Sequence, residues 1–279
     1  MIAVRLVGRL GNQMFQYATA RALALRLGVG IGLDTRYYSL RRRRDLTILF
    51  LNLRTEPISK PDLPPKETRR FRIFGRKHRN RFKIFSETQH TFDETVQMLS
   101  DWTYLLGCFQ NEKYFLNYAS EIREELGGFP EIGKQNREIL KAIEGSDSVS
   151  IHARRGDYAG NIHYDLLPPT YYADAVHRIL DTITGTPQFF VFSDDPDWAE
   201  ANIRPPTGRT TYVRNTGPAY EDLRLMSHCK HHIIANSSFS WWAAWLRYST
   251  DKTVIAPRVW LNIPGFDASD VVPAYWTRI

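Results

Sequence analysis

Short apolar runs that empty into polar clusters recur along this chain. From Ser148 to Ala153 a partly β-branched run leads into Arg154-Arg155-Gly156-Asp157-Tyr158, the pattern of a buried strand ending in a loop. Residues 188–192 do the same before Ser193-Asp194-Asp195-Pro196, and residues 232–235 before Asn236-Ser237-Ser238-Phe239-Ser240. Further strands are predicted over 2–7, 29–34, 102–109 and 253–256. Three- and four-residue apolar spacing predicts helices over 13–27, 113–126, 135–143, 170–183, 220–229 and 241–248. In the first of these, Phe15, Ala18, Ala22 and Leu25 share a face and Gly28 supplies the stop. Residues 53–65, with four prolines, read as an irregular connection.

Strands alternating with helices predict an α/β protein. The glycine-bearing stretch 128–146 separates two such series, so domains are expected at 1–140 and 141–279. In a parallel sheet the polar clusters at the three strand ends fall along one edge, where ligands bind.

Length and charge narrow the ligand class. The chain has 279 residues, enough for two modest cores, and a formal net charge of +7. Its pI near 9.4 points to anionic partners. The two cysteines, Cys108 and Cys229, are far apart and are expected as free thiols, as in a reducing compartment. Residues 2–7 are too short for a signal segment, and no run approaches a membrane span. A cytoplasmic protein is therefore expected. The run at 41–44 and the segment 66–83, where Phe71, Phe74 and Phe82 interleave with lysine and arginine, read first as a solvated basic surface. Peripheral contact with an anionic membrane through 66–83 is the sharper alternative. No nucleic-acid-binding motif accompanies the charge.

The strand ends carry the chemistry. Arg154 and Arg155 offer permanent charge and planar donor forks suited to phosphate; a structural ion pair of Arg154 with Asp157 is the plainer alternative. Ser237 and Ser238 precede a helix, either as a simple cap or as a phosphate cradle with the free helix-end N–H groups. Gly8-Arg9-Leu10-Gly11-Asn12 reads as a turn between strand and helix that could hold an anion in the same way. Asp194 and Asp195 lack the further ligands of a metal site, so none is expected. A carboxylate there suits the two-donor edge of a guanine.

Four motifs taken in order resemble the α-1,2-fucosyltransferases of glycosyltransferase family 11. They are Leu10-Gly11-Asn12-Gln13-Met14-Phe15-Gln16-Tyr17-Ala18, His152-Ala153-Arg154-Arg155-Gly156-Asp157-Tyr158, Phe192-Ser193-Asp194-Asp195 and Asn236-Ser237-Ser238-Phe239-Ser240-Trp241-Trp242. Arg9 departs from the glycine more usual in that family. The resemblance implies a GT-B fold, two Rossmann-like domains facing a central cleft, with GDP-fucose held mainly by the C-terminal one. It implies inverting, metal-independent transfer of L-fucose to the 2-hydroxyl of a terminal galactose, without cofactor. Carried onto this chain, Arg154 neutralises the leaving phosphate, and His152, Arg155, Asp194 and Asp195 lie near the nucleotide. Ser237, Ser238 and Phe239 form the phosphate loop, while Arg9, Gly11 and Asn12 make an N-terminal donor contact. Asp157 is the candidate base, with His163 and Asp165 as alternatives. Another GDP-fucose-dependent transferase, α-1,6- or O-fucosyltransferase-like, and a non-catalytic sugar-nucleotide or polyanion binder stay open as other readings.

Overall fold

The computed structural model describes residues 1–38, 45–64, 81–215 and 217–279. The basic run at 41–44 and residues 66–80 of the basic segment, with the lipid contact expected of them, lie outside the described residues. The chain divides into two αβ units, Met1–Leu126 and Gly127–Ile279, rather than at 140. The division falls earlier because residues 127–140 are bonded into the second unit. Asn136 donates to Glu221 at 2.9 Å, and the Arg224 guanidinium donates to the carbonyl of Pro130.

The first unit contains β1 (Ile2–Arg5), α1 (Leu10–Leu27), β2 (Ile31–Asp34), β3 (Lys83–Ser86), β4 (Thr103–Leu106) and α2 (Ala119–Leu126). Its sheet has the order β2-β1-β4-β3, with every pair parallel. Helix α1 begins at Leu10, so Gly11 and Asn12 occupy its first turn instead of a loop. Gly8 makes that early start possible: its φ is +76°, and a Cβ there would lie 2.7 Å from Asn12 Nδ2. Gln13 and Gln16, buried despite their polarity, tie the helix down. Gln16 accepts from Val7 N at 2.9 Å and donates to Gly107 O at 3.1 Å. Gln13 donates to Gly8 O at 3.1 Å and accepts from Ile48 N at 3.1 Å.

The second unit contains α3 (Lys134–Glu144), β5 (Ser148–Ala153), α4 (Pro169–Leu180), β6 (Gln188–Ser193), α5 (Pro196–Asn202), β7 (Arg209–Val213), α6 (Ala219–His228), β8 (His231–Ile233), α7 (Ser238–Leu246), β9 (Val254–Ala256) and β10 (Thr277–Arg278). All pairs in its sheet are parallel, in the order β10-β9-β8-β5-β6-β7. Numbered from β5, this is the 3-2-1-4-5-6 order of the Rossmann fold. Strand β5 lies at the centre and is buried along its whole length, as a strand covered on both faces must be. Its residues Val149, Ile151 and Ala153 belong to one buried core with Tyr172, Ala175 and Ile179 of α4, Ala199 of α5 and Ile203 just after it. On the alternate positions Ser150 meets His232 Nδ1 at 2.8 Å. Trp241, Trp242 and Trp245 of α7 are buried, Trp241 and Trp245 stacked with centroids 6.0 Å apart, so their role is packing.

Both cysteines are free thiols, Cys229 buried and Cys108 half-buried. Among the described residues no helix is long and apolar enough to cross a membrane.

Candidate active site

The chain leaves β5 towards β6 and β7 on one side and returns to β8 on the other, so the carboxyl ends of β5 and β8 flank the switch point of the sheet. Ligands of doubly wound sheets bind in that crevice. Arg154 emerges from β5 with its side chain only 15% exposed. One terminal nitrogen meets Asp157 Oδ1 at 2.5 Å and the other lies 3.2 Å from Asp194 Oδ2.

Asp194, at the end of the neighbouring β6, does more than balance charge. Its Oδ1 accepts from Arg155 N at 2.8 Å and its Oδ2 from Gly156 N at 3.0 Å. Both oxygens therefore brace the turn that carries the arginines, a use different from the guanine edge expected of it. Asp195 caps α5, accepting from Trp198 N at 3.2 Å, and keeps a 45% exposed side chain. Arg155 turns towards that helix: its guanidinium carbon lies 3.8 Å from the centroid of the Trp198 ring, and Nε lies 3.5 Å from Asp195 Oδ2. The adjacent arginines thus have different surroundings, Arg154 with the strand ends and Arg155 with α5.

On the β8 side, Ser237 is the N-cap of α7 and accepts from Phe239 N at 3.4 Å. Ser238 opens the helix, and the Phe239 ring rests 5.6 Å from that of His152. His152 lies beneath the crevice rather than in it, 4% exposed. Burial, and then the charge of Arg154, pulls its pKa from 6.5 to about 3, so the ring is neutral near pH 7.

Of the three candidate bases, Asp157 is the one placed on Arg154. Asp165 instead accepts from Asn262 Nδ2 at 3.3 Å through its carboxylate and from Asn236 Nδ2 at 3.1 Å through its carbonyl. The His163 carbonyl accepts from Asn262 N at 2.9 Å. Arg9, Gly11 and Asn12 sit together in the first unit at the start of α1, where Arg9 is exposed and Asn12 Oδ1 accepts from Gln110 Nε2 at 2.8 Å. Tyr158, the last residue of the second motif, also meets Arg154, and Trp198 meets Arg155 although the pattern of residue types does not single it out. Asp195-Pro196 is the available signal for Trp198, since an acidic cap before proline opens a helix.

A Rossmann-ordered sheet with an anchored arginine and a serine-capped helix at its switch point presents groups whose chemistry suits an anionic ligand. The chain belongs to glycosyltransferase family 11, whose model, "Glycosyl transferase family 11", matches residues 1–278. It is a glycosyltransferase. An Escherichia coli "Alpha-1,2-colitosyltransferase" is 33% identical, with 100% of this chain and 99% of that protein aligned. The Escherichia coli "O-antigen biosynthesis glycosyltransferase WbnK" is 32% identical over 98% of this chain and 99% of its own. A Bos taurus "Galactoside alpha-(1,2)-fucosyltransferase 2" is 24% identical over 88% of this chain and 69% of its own.

Proposed function

We propose that the protein transfers L-fucose from GDP-β-L-fucose, with inversion and without a metal, to the 2-hydroxyl of a terminal galactose. The observation that carries this reading is Arg154, held by Asp157 and Asp194 at the carboxyl end of β5, together with the family. In the proposed reaction the galactose oxygen bonds to the anomeric carbon as the bond to the GDP oxygen breaks. Negative charge grows on the departing diphosphate, and the guanidinium of Arg154 and the N-terminal end of α7 oppose it. Asp194 is fixed by two backbone N–H groups, whereas Asp157 is half-exposed on a short turn. The diphosphate therefore displaces Asp157 from Arg154, and the displaced carboxylate receives the proton of the acceptor hydroxyl. The exposed Asp195 suits the guanine edge better than the engaged Asp194.

A second reading is favoured by the relative named as a colitosyltransferase: the sugar transferred is colitose, which lacks the 3-hydroxyl of fucose. The test is an acceptor array run with GDP-fucose and with GDP-colitose, followed by linkage analysis. A 2-linked fucosyl galactoside supports the first reading. Product from GDP-colitose alone replaces it with the second, and a fucosyl linkage at another hydroxyl overturns the acceptor assignment.

A further inference from the structure

Tyr158 closes the motif that begins at His152, yet neither phosphate binding nor proton transfer uses it. Its position is unusual for a loop residue. It ends the single 3₁₀ turn Gly156–Tyr158 just after the arginines, and its hydroxyl crosses to the other side of the switch point. There it donates to the carbonyl of Asn236 at 3.1 Å, next to the Ser237 cap, and it also interacts with the Ser237 hydroxyl. One side of the ring faces Arg154, whose guanidinium carbon is 5.6 Å from the ring centroid. The ring also stacks on Tyr164, centroids 4.1 Å apart and planes 26° from parallel.

We infer that Tyr158 is a positioning residue, a strut that fixes Arg154 on β5 relative to the Ser237 cap of α7. It thereby shapes the pair into a single cradle for the terminal phosphate of a nucleoside diphosphate. The two groups follow the ends of different strands, 83 positions apart in sequence, so no local turn sets their spacing. A rigid aromatic body with a hydroxyl at its tip can set it, because the ring has two torsions and the tip is pinned. Tyr164 limits sideways movement of the ring. The Asn236 side chain adds a second link from the β8 end to the same loop, through its bond to Asp165 O at 3.1 Å.

The inference rests on the reading that the crevice binds a guanosine diphosphate sugar, but its test needs neither the sugar nor the acceptor. Affinities for GDP and GMP, measured by calorimetry, differ by the terminal phosphate, so their ratio reports how well the cradle holds it. Tyr158→Phe keeps the ring and its stacking and removes only the hydroxyl. It is expected to lower the GDP preference about ten-fold while leaving GMP affinity within about two-fold. Tyr158→Ala should lower the preference further, and thermal melts of both variants establish that the fold survives. Adding Tyr158→Phe to Arg154→Ala should change the preference little, because the strut then has no arginine to hold. If Tyr158→Phe keeps the parental preference, or if its effect is fully additive with that of Arg154→Ala, the strut is wrong. If the parent protein binds GDP no better than GMP, the phosphate cradle fails as well, a result separable from loss of the strut alone.

Discussion

Gly156 and Asp194 fit together only because position 156 has no side chain: a Cβ there would lie 2.8 Å from Asp194 Oδ2. The same oxygen accepts from Gly156 N and lies 3.2 Å from Arg154. Asp194 cannot yield to a methyl group and keep both contacts. Gly156→Ala is therefore expected to lower turnover at least ten-fold, an activation difference of about 1.4 kcal/mol. Gly133→Ala, where a Cβ meets nothing within 4 Å, should leave turnover unchanged. Steady-state rates for the two variants check this, and equal activity would show that Asp194 does not govern Arg154.

Such a relationship shows where legibility stops. Strand β5 is predicted to the residue, since a β-branched run with an abrupt polar end has no other good reading. The Arg154–Asp157 pair is also legible, being three positions apart. The bracing by Asp194 is not, because 38 positions separate it from Gly156 and the sheet alone brings them together. The edge strands β3 and β7 are absent from the predicted elements. Strand β3 is four residues, largely exposed, at the end of a basic segment, and the Arg-Thr-Thr-Tyr-Val strand β7 carries little apolar signal. The helix predicted over 113–126 forms only as α2 from Ala119, after two 3₁₀ turns at Glu112–Tyr114 and Leu116–Tyr118. Helix α5 is absent from the predicted elements because Pro196 breaks the apolar pattern, although proline is also well suited to the first helical position it occupies.

His152 makes stability depend on pH in a defined direction. Its pKa falls from 6.5 to about 3 on folding, chiefly through burial, so between those values the unfolded chain binds more protons than the folded one. Stability is then full above about pH 6.5 and declines as the pH drops. The slope from His152 approaches 1.4 kcal/mol per pH unit, or about 2 kcal/mol between pH 6.5 and 5. His232, held neutral mainly by burial, acts in the same direction. Urea unfolding at several pH values should give a visibly shallower slope for His152→Gln than for the parent protein. Identical slopes would mean that His152 ionises in the folded state.

Turnover should persist in excess EDTA. The Asp194 oxygens already accept two backbone N–H bonds, and guanidiniums stand beside both Asp194 and Asp195, an arrangement that opposes a divalent cation. Charge on the leaving diphosphate is assigned to Arg154 instead. Rates measured with the chelator and after adding back Mn²⁺ or Mg²⁺ decide the point. Complete loss on chelation with recovery on metal addition would reverse the assignment.

Arg154→Lys is expected to be nearly as inactive as Arg154→Ala. Lysine retains the positive charge, so a purely long-range electrostatic role would survive the change. It loses the planar fork, whose terminal nitrogens here reach Asp157 on one side and Asp194 on the other. A single ammonium cannot keep the bond to Asp194 and meet a diphosphate oxygen in the same orientation, and it must also shed a tightly held hydration shell. Losing a preorganised charged donor of this kind costs about 3 kcal/mol or more in the transition state, which lowers turnover by roughly 10² or more. Binding of GDP should suffer less, because the Ser237 cap, the N-terminal end of α7 and Asp195 remain. The arginine sits at a strand end and contributes little to the core, so both variants should melt near the parent protein. Turnover above about a tenth of the parental value in Arg154→Lys would show that charge without the fork suffices. Arg155 would not then take over the role, since its guanidinium is committed to Trp198 and lies beside Asp195.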